Sequence, residues 1–247
     1  MNIYMKQEDI PYFIFNGISS LDFKIIKIKD DRLNSAERNI EITPIPGKDG
    51  GHISEKAQSN KTIKVEIALN ADSTEEINIL SKKIKKWLHK DKTYKELIFS
   101  DDLDTIYEAI CINKIELDEV IEALGVGVIY FSCKPYTKTR DNSIIEIIKN
   151  DSLIYNQYSQ SNPKFKIYGN GDVTISINNE NLIIKEISEY IEVDSEEMEC
   201  FKLVDGVIKY ENDKMYSDFP VLKEGKNQIS WIGNISKIEI IPNWREN

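Results

Sequence analysis

Residues 61–89 read KTIKVEIALNADSTEEINILSKKIKKWLH, and two different periods meet inside them. Ile63, Val65, Ile67 and Leu69 recur every second residue between charged or small neighbours, the spacing of a strand with one buried face. From Ile77 the apolar positions become Leu80, Ile84, Trp87 and Leu88, which line one side of a helix while Lys82, Lys83, Lys85 and Lys86 point away. Ser73 followed three residues later by Glu76 is a capping box, with Glu75 and Glu76 at the positive end of the helix dipole and four lysines toward its negative end. A half-buried strand leading into one capped helix sets the class as mainly β with a single helix (α+β).

Outward from this stretch the two-residue period dominates. Leu21, Phe23 and Ile25 mark one face of an extended segment upstream, and 95–100, 105–115 and 126–133 are strand candidates downstream. The last is expected to stop before Pro135, which cannot extend a central ladder. Beyond about residue 138 only strands are predicted. Segment 172–177 alternates through Val173, Ile175 and Ile177, a turn at Asn178-Asn179-Glu180-Asn181 follows, and then 182–185. Segments 200–204 and 207–210 flank Asp205-Gly206, a hairpin turn whose two central positions need positive φ, and 227–232 and 237–241 complete the set. Short strands at this density predict a β-sandwich.

Charge divides the chain at the same place. Residues 1–138 carry 20 basic and 23 acidic side chains, whereas 139–247 carry 12 and 19. The expected organisation is an N-terminal domain over 1–138 and a C-terminal sandwich over 139–247, with a linker near 137–142. The whole chain of 247 residues is 40% hydrophobic and 30% charged with only 11 Gly and 7 Pro, which excludes collagen-like, low-complexity and disordered classes. Its net charge of −10 argues against gripping nucleic acid or an anionic membrane, because phosphate neutralisation supplies most of such affinity.

The search for chemistry returns little. Cys111, Cys133 and Cys200 are odd in number and widely spaced, so they read as buried small hydrophobes rather than disulfide or metal partners. The opening Met1-Asn2-Ile3-Tyr4-Met5-Lys6-Gln7-Glu8-Asp9 lacks a secretory pattern, no apolar run approaches bilayer-spanning length, and synthesis in a cytosol is expected. His89 follows the helix as a solvated cation, and His52 lies in a glycine-rich loop, so no catalytic triad is assembled. Asp101, Asp102 and Asp104 form the densest carboxylate cluster but fail the calcium-loop pattern and read as solvated turn residues, as do Glu196, Glu197 and Glu199. Gly169-Asn170-Gly171 has no helix after it to hold phosphate and reads as a turn. No catalytic residue, metal or cofactor is expected.

One segment stands apart. In Pro44-Ile45-Pro46-Gly47-Lys48-Asp49-Gly50-Gly51, Pro46-Gly47 suits the centre of a type II turn and Asp49-Gly50 a second, tighter one. The tract from His52 to Asn60 is too hydrophilic for a core, so about 41–60 forms a protruding arm. Pro46, Gly47, Lys48, Asp49 and Gly50 are the candidate oligomer-interface residues at its tip.

The order of these features resembles one family. Phe13-Ile14-Phe15-Asn16-Gly17-Ile18-Ser19-Ser20 with Asp22-Phe23, the Pro46–Gly50 arm, the alternating strand, a helix ending Trp87-Leu88, and Cys133-Lys134-Pro135-Tyr136 come in turn. Asn162-Pro163, Tyr168-Gly169-Asn170-Gly171-Asp172-Val173, Phe219-Pro220-Val221-Leu222 and Glu224-Gly225-Lys226-Asn227 continue the likeness over nearly the whole chain. Together they resemble the distal tail (Dit) proteins of long-tailed bacteriophages of Gram-positive hosts, with Lys48 where arginine is frequent. The resemblance implies an N-terminal ring-forming domain, an arm reaching the adjacent subunit, and an outward galectin-like C-terminal sandwich. It implies a six-fold homo-oligomeric ring at the virion tail tip, made in the host cytoplasm and joining the tail tube to the adsorption apparatus. The implied partners are the tail tube, tape-measure and receptor-binding proteins, with DNA passing the lumen unbound.

Two rival readings come from the residues alone. Aromatic faces in the second half, with Trp231, Tyr210 and Tyr216 as candidate carbohydrate contacts, suit a module that stacks on host polysaccharide. Paired carboxylates ~5–9.5 Å apart would suit a wall hydrolase, but none is marked out by an apolar setting.

Overall fold

The computed structural model describes residues 10–33, 40–55, 58–112, 117–121 and 124–246. The chain divides into two compact units, residues 1–137 and 138–247.

The first unit is built from β1 (Phe13–Phe15), β2 (Ile18–Ser19), β3 (Ile25–Asp30), β4 (Ile40–Pro44), β5 (Gly51–Glu55), β6 (Lys61–Asn70), α1 (Thr74–Leu88), β7 (Lys95–Phe99), β8 (Asp102–Cys111), β9 (Leu117–Ile121) and β10 (Leu124–Thr139). Its main sheet has the order β2-β1-β7-β8-β10-β6-β3, with β9 on β10, while β4 and β5 form a separate two-stranded sheet. The alternation read at 63–69 is the buried face of β6, where Ile63, Val65, Ile67 and Leu69 are fully enclosed.

Helix α1 starts where the capping box requires. Ser73 is extended, and its hydroxyl accepts from the Glu76 amide at 3.2 Å. The predicted face Ile77, Leu80, Ile84, Trp87 and Leu88 is the buried one. Trp87 fastens the helix to the sheet: its indole N–H donates to the Phe15 carbonyl at 3.1 Å, and its ring stacks on Phe13 and Phe23 with Phe15 at its edge.

Two local expectations need correction. Ser20–Phe23 is a 3-10 turn capped by the Ser19 hydroxyl, not part of an extended strand, and it ends at Lys24 with φ 56. The turn folds the chain back so that β3 starts only at Ile25. Strand β10 also runs through Pro135 to Thr139, because its pairing with β6 ends at Cys133 and no ladder bond to that neighbour is asked of the proline.

The second unit contains β11 (Ile145–Ile147), β12 (Ser152–Asn156), β13 (Lys164–Ile177), β14 (Glu180–Ile187), β15 (Tyr190–Asp194), β16 (Glu199–Val204), β17 (Val207–Tyr210) and β18 (Gly225–Ile241). Strands β13 and β18 pair along almost their full lengths and change neighbours halfway. The first half of β13 meets β15 and the second half β14, while β18 meets β12 and then β11. The two halves share one core, which includes Phe165, Ile167, Val173, Ile175, Ile229, Ile238 and Ile240. One long pair thus serves two layers of an open α+β, two-domain sandwich architecture.

The bend between the layers corrects the reading of Gly169-Asn170-Gly171. These residues are not a turn but an irregularity inside β13, where the register with β18 slips at Tyr168/Gly169 and again between Asn170 and Thr174. A Cβ on Gly169 would lie 2.3 Å from the Asn234 carbonyl oxygen, and one on Gly233, at φ 110, 2.6 Å from that of Asp172. Glycine here lets two backbones cross closer than a side chain permits. The hairpins follow the predicted chemistry, with Asn178 and Asn179 at φ 51 and 70 and Asp205 and Gly206 at φ 50 and 78.

Gly233→Ala adds both the contact and the positive-φ strain, and should cost the second unit about 1–3 kcal/mol or more. Gly171→Ala, at φ 78 in open space, should cost about 1 kcal/mol. Hydrogen exchange over 164–241 under mild urea measures both; equal losses would refute the close-approach argument.

Candidate functional site

The segment singled out by its turn residues is a hairpin with no body beneath it. Strands β4 and β5 pair in register Ile40↔Glu55, Glu41↔Ser54, Ile42↔Ile53, Thr43↔His52 and Pro44↔Gly51. Lys48 donates its amide to the Ile45 carbonyl at 3.2 Å across Pro46-Gly47, and Gly47 has φ 75, which is type II geometry. Gly50 takes φ 87, whereas Asp49 is not among the positive-φ residues, so the second turn is not the mirror-image kind. His52 is a strand residue opposite Thr43, not a loop residue, because the hairpin's pairing extends to Glu55.

Alternation gives this hairpin two unlike faces. Ile40, Ile42 and Ile53 share one face, and Glu41, Thr43, His52 and Ser54 share the other. The isoleucines are 42%, 63% and 65% exposed, and none of the arm belongs to the core of its unit. An isolated two-stranded hairpin is marginal in water, and one that exposes its apolar face is worse placed still.

The root of the arm is the opposite case. Arg32, where the chain leaves β3 for the arm, donates through Nη1 to Asp30 at 3.0 Å and through Nη1 and Nη2 to both Asp101 oxygens at 3.0 and 2.6 Å. Lys27 bonds the same two carboxylates at 2.6 and 3.0 Å. Lys27, Asp30 and Arg32 are nearly enclosed, and the ring of Phe99 lies under both cations at 5.1 and 4.6 Å. Lys61, where the chain re-enters the sheet, donates its ammonium to the Arg32 carbonyl, which closes the base of the 33–60 excursion.

Hydrogen bonds from Arg32, opposed by partial burial and aided by Lys27, hold the Asp101 carboxyl well below the usual carboxylate range. Asp101 is therefore an engaged ion-pair partner and not a solvated turn residue. Sequence spacing could not show this, because Asp101 lies 69 positions from Arg32. The signal that existed was the run of opposite charges at Lys27, Asp30 and Arg32 along and just past a strand with a buried face.

Elsewhere the structure leaves the candidate residues dispersed. Trp231 packs against the second core opposite Ile175, Tyr216 lies under the Lys185 ammonium at 4.4 Å, and Tyr210 sits opposite Phe201 on β17. His89 is the exposed C-cap of α1, and the three cysteines are buried, with burial pushing the Cys133 and Cys200 thiols up to about 12. Depressions of about 250 and 340 Å³ in the first unit are lined by Ile10, Leu21, Lys24, Ile26, Asn70 and Asp72, and by Asn16, Gly17, Tyr94, Lys95, Glu96 and Glu108. No metal-holding group of three or more His, Cys, Asp or Glu occurs among the described residues.

A sheet, one packed helix and a hairpin thrown clear of the body by a locked root match a known kind of domain. Residues 16–133 match the family described as the phage tail protein RIFT-related domain. The match lies within the first unit. The fold of the whole chain is similar to that of the Dit protein of phage SPP1, described as a paradigm of the hub adsorption apparatus in phages infecting Gram-positive bacteria. That match has a TM-score of 0.78 at 12% identity and covers 96% of this chain and 98% of that one. Chains of the phage p2 baseplate in its activated conformation, one structure with strontium and one with calcium, match at TM-score 0.58, 12% identity and the same coverage. No curated protein matches in sequence. Over nearly its whole length the chain has a Dit-like fold.

Arg32→Ala leaves the Asp30 carboxylate, 8% exposed, with Lys27 as its one ion-pair partner among the described residues. The first unit should lose about 3–5 kcal/mol in urea unfolding. Because the folded Asp101 value is depressed, its contribution is complete above about pH 4 and fades as pH falls from there toward the lower folded value. Asp101→Asn should remove that acid sensitivity; an unchanged acid limb would exclude the pair as its source.

Proposed function

We propose that this chain is a tail-tip hub that closes into a six-fold ring by seating each arm on the next copy. The observation that carries the reading is the exposed Ile40–Ile42–Ile53 face on a hairpin that has no core of its own and a rigid root. Covering that face removes apolar area from water at roughly 25 cal/mol per Å². A head-to-tail contact closes into a ring when its rotation divides the circle.

The ring would join the tail tube to the adsorption apparatus, beside tape-measure and receptor-binding proteins, as part of the virion made in the host cytoplasm. Likeness to a hub protein and to baseplate chains supports this placement. A net charge of −10 suits a lumen that DNA crosses without sticking. The outward galectin-like role of the second unit belongs to the same proposal. A carbohydrate-binding role through Trp231, Tyr210 and Tyr216 is the weaker reading, since the three lie on separate segments and Trp231 is half-buried.

Deleting residues 44–51 should abolish rings in negative-stain images and lower the sedimentation coefficient to that of a monomer, with circular dichroism of both units retained. Rings of unchanged yield would refute the arm as the ring-forming element.

A further inference from the structure

Helix α1 carries a face that forms no ion pair with any described residue of its own unit. Lys82, Lys83, Lys85 and Lys86, with Lys90 and Lys92 just beyond the C-cap, are all exposed, and among the described residues none of the six has an ion-pair partner. At 100° per residue Ile79, Lys82, Lys83 and Lys86 share one stripe opposite the buried Ile77–Leu80–Ile84–Trp87 stripe. Ile79 is 55% exposed in the middle of it. The helix dipole accounts for cations only in the last turn, and Lys82 and Lys83 lie before it. The spacings Lys82–Lys85, Lys82–Lys86 and Lys83–Lys86 set like charges side by side, which destabilises an isolated helix. In a chain of net charge −10, this concentration calls for an acidic partner.

A complementary surface exists on the same unit. Asp102 and Asp104, at the start of β8, carry no ion pair among the described residues and flank Leu103, which is 40% exposed. In the strand Asp102 and Asp104 share one face and set two carboxylates side by side, while Leu103 turns to the other. The tip is held firmly, because the adjoining Asp101 is bound by Arg32 at the arm root. A head-to-tail ring needs two different, complementary patches on each subunit.

We propose that the lysine stripe of α1 docks on the Asp102–Leu103–Asp104 tip of a second copy, forming an electrostatic contact of the ring beside the arm. The inference rests on the ring reading and adds a second, salt-sensitive element to it.

The test uses the full chain in sedimentation velocity and negative stain at low and high salt. Lys82→Glu/Lys83→Glu/Lys86→Glu should weaken self-association by about tenfold or more, and Asp102→Lys/Asp104→Lys should do the same. The combined five-fold variant should restore it. Lys82→Gln/Lys83→Gln/Lys86→Gln, which keeps helix propensity, should give an intermediate loss that high salt reproduces in the wild type. Rings lost on arm deletion but indifferent to the lysines would overturn this contact and leave the ring reading standing. Rings indifferent to arm deletion but lost and restored by the charge swap would keep this contact and overturn the arm. A wild type that stays monomeric at all salts overturns both. Loss without restoration, or duplex DNA bound by the wild type and released by the lysine variants, assigns the face to another occupant and overturns the proposal.

Discussion

An apolar face on two strands with no core behind it is a demand for another surface. Ile40, Ile42 and Ile53 meet that condition. At the root an ion-pair cluster fixes where the chain departs from its sheet, and Lys61 ties the point of return to the point of departure. The costly part of the root is the enclosure of Lys27, Asp30 and Arg32 beside Phe99. Its charges pair almost completely among themselves, so it holds one geometry rather than many.

Behind the root the first unit is conventional in its energetics. Helix α1 has no strong reason to be stable alone, since its lysines repel one another, and it is kept by the burial of five apolar side chains and the Trp87 bond to Phe15. The rigidity that results gives the exposed side of the helix a fixed arrangement of charge. An acidic protein with one basic helical face is suited to contacts between unlike surfaces, which is the requirement for closed heterologous assembly.

The second unit solves a different problem, that of making two layers from few connections. Strands β13 and β18 stay paired while they bend, and they exchange neighbours at the bend, so a single hairpin-like ladder supports both layers of the core. Gly169 and Gly233 are where the backbones come closest, and the asparagines at 178 and 179 and the Asp205-Gly206 pair set the tight returns. These positions are chosen by backbone geometry and not by chemistry toward any substrate.

Periodicity and turn chemistry were enough to read α1 from its cap to Trp87, β6 from its alternation, the hairpins at 178–179 and 205–206, and the arm with its Pro46-Gly47 turn. Each of these depends on residues within about a dozen positions of one another, where local propensity and pattern speak directly. The order of motifs likewise pointed to the tail-protein family that matches residues 16–133. What the tertiary structure alone decided were features joining distant positions. These are the grip of Arg32 on Asp101, the crossing of Gly169 with Asn234, the 3-10 turn that delays β3, and the exposure of the arm's isoleucines. Burial and ion pairing are properties of what surrounds a residue in space, and a linear pattern carries that information only where the surroundings are also its neighbours in the chain.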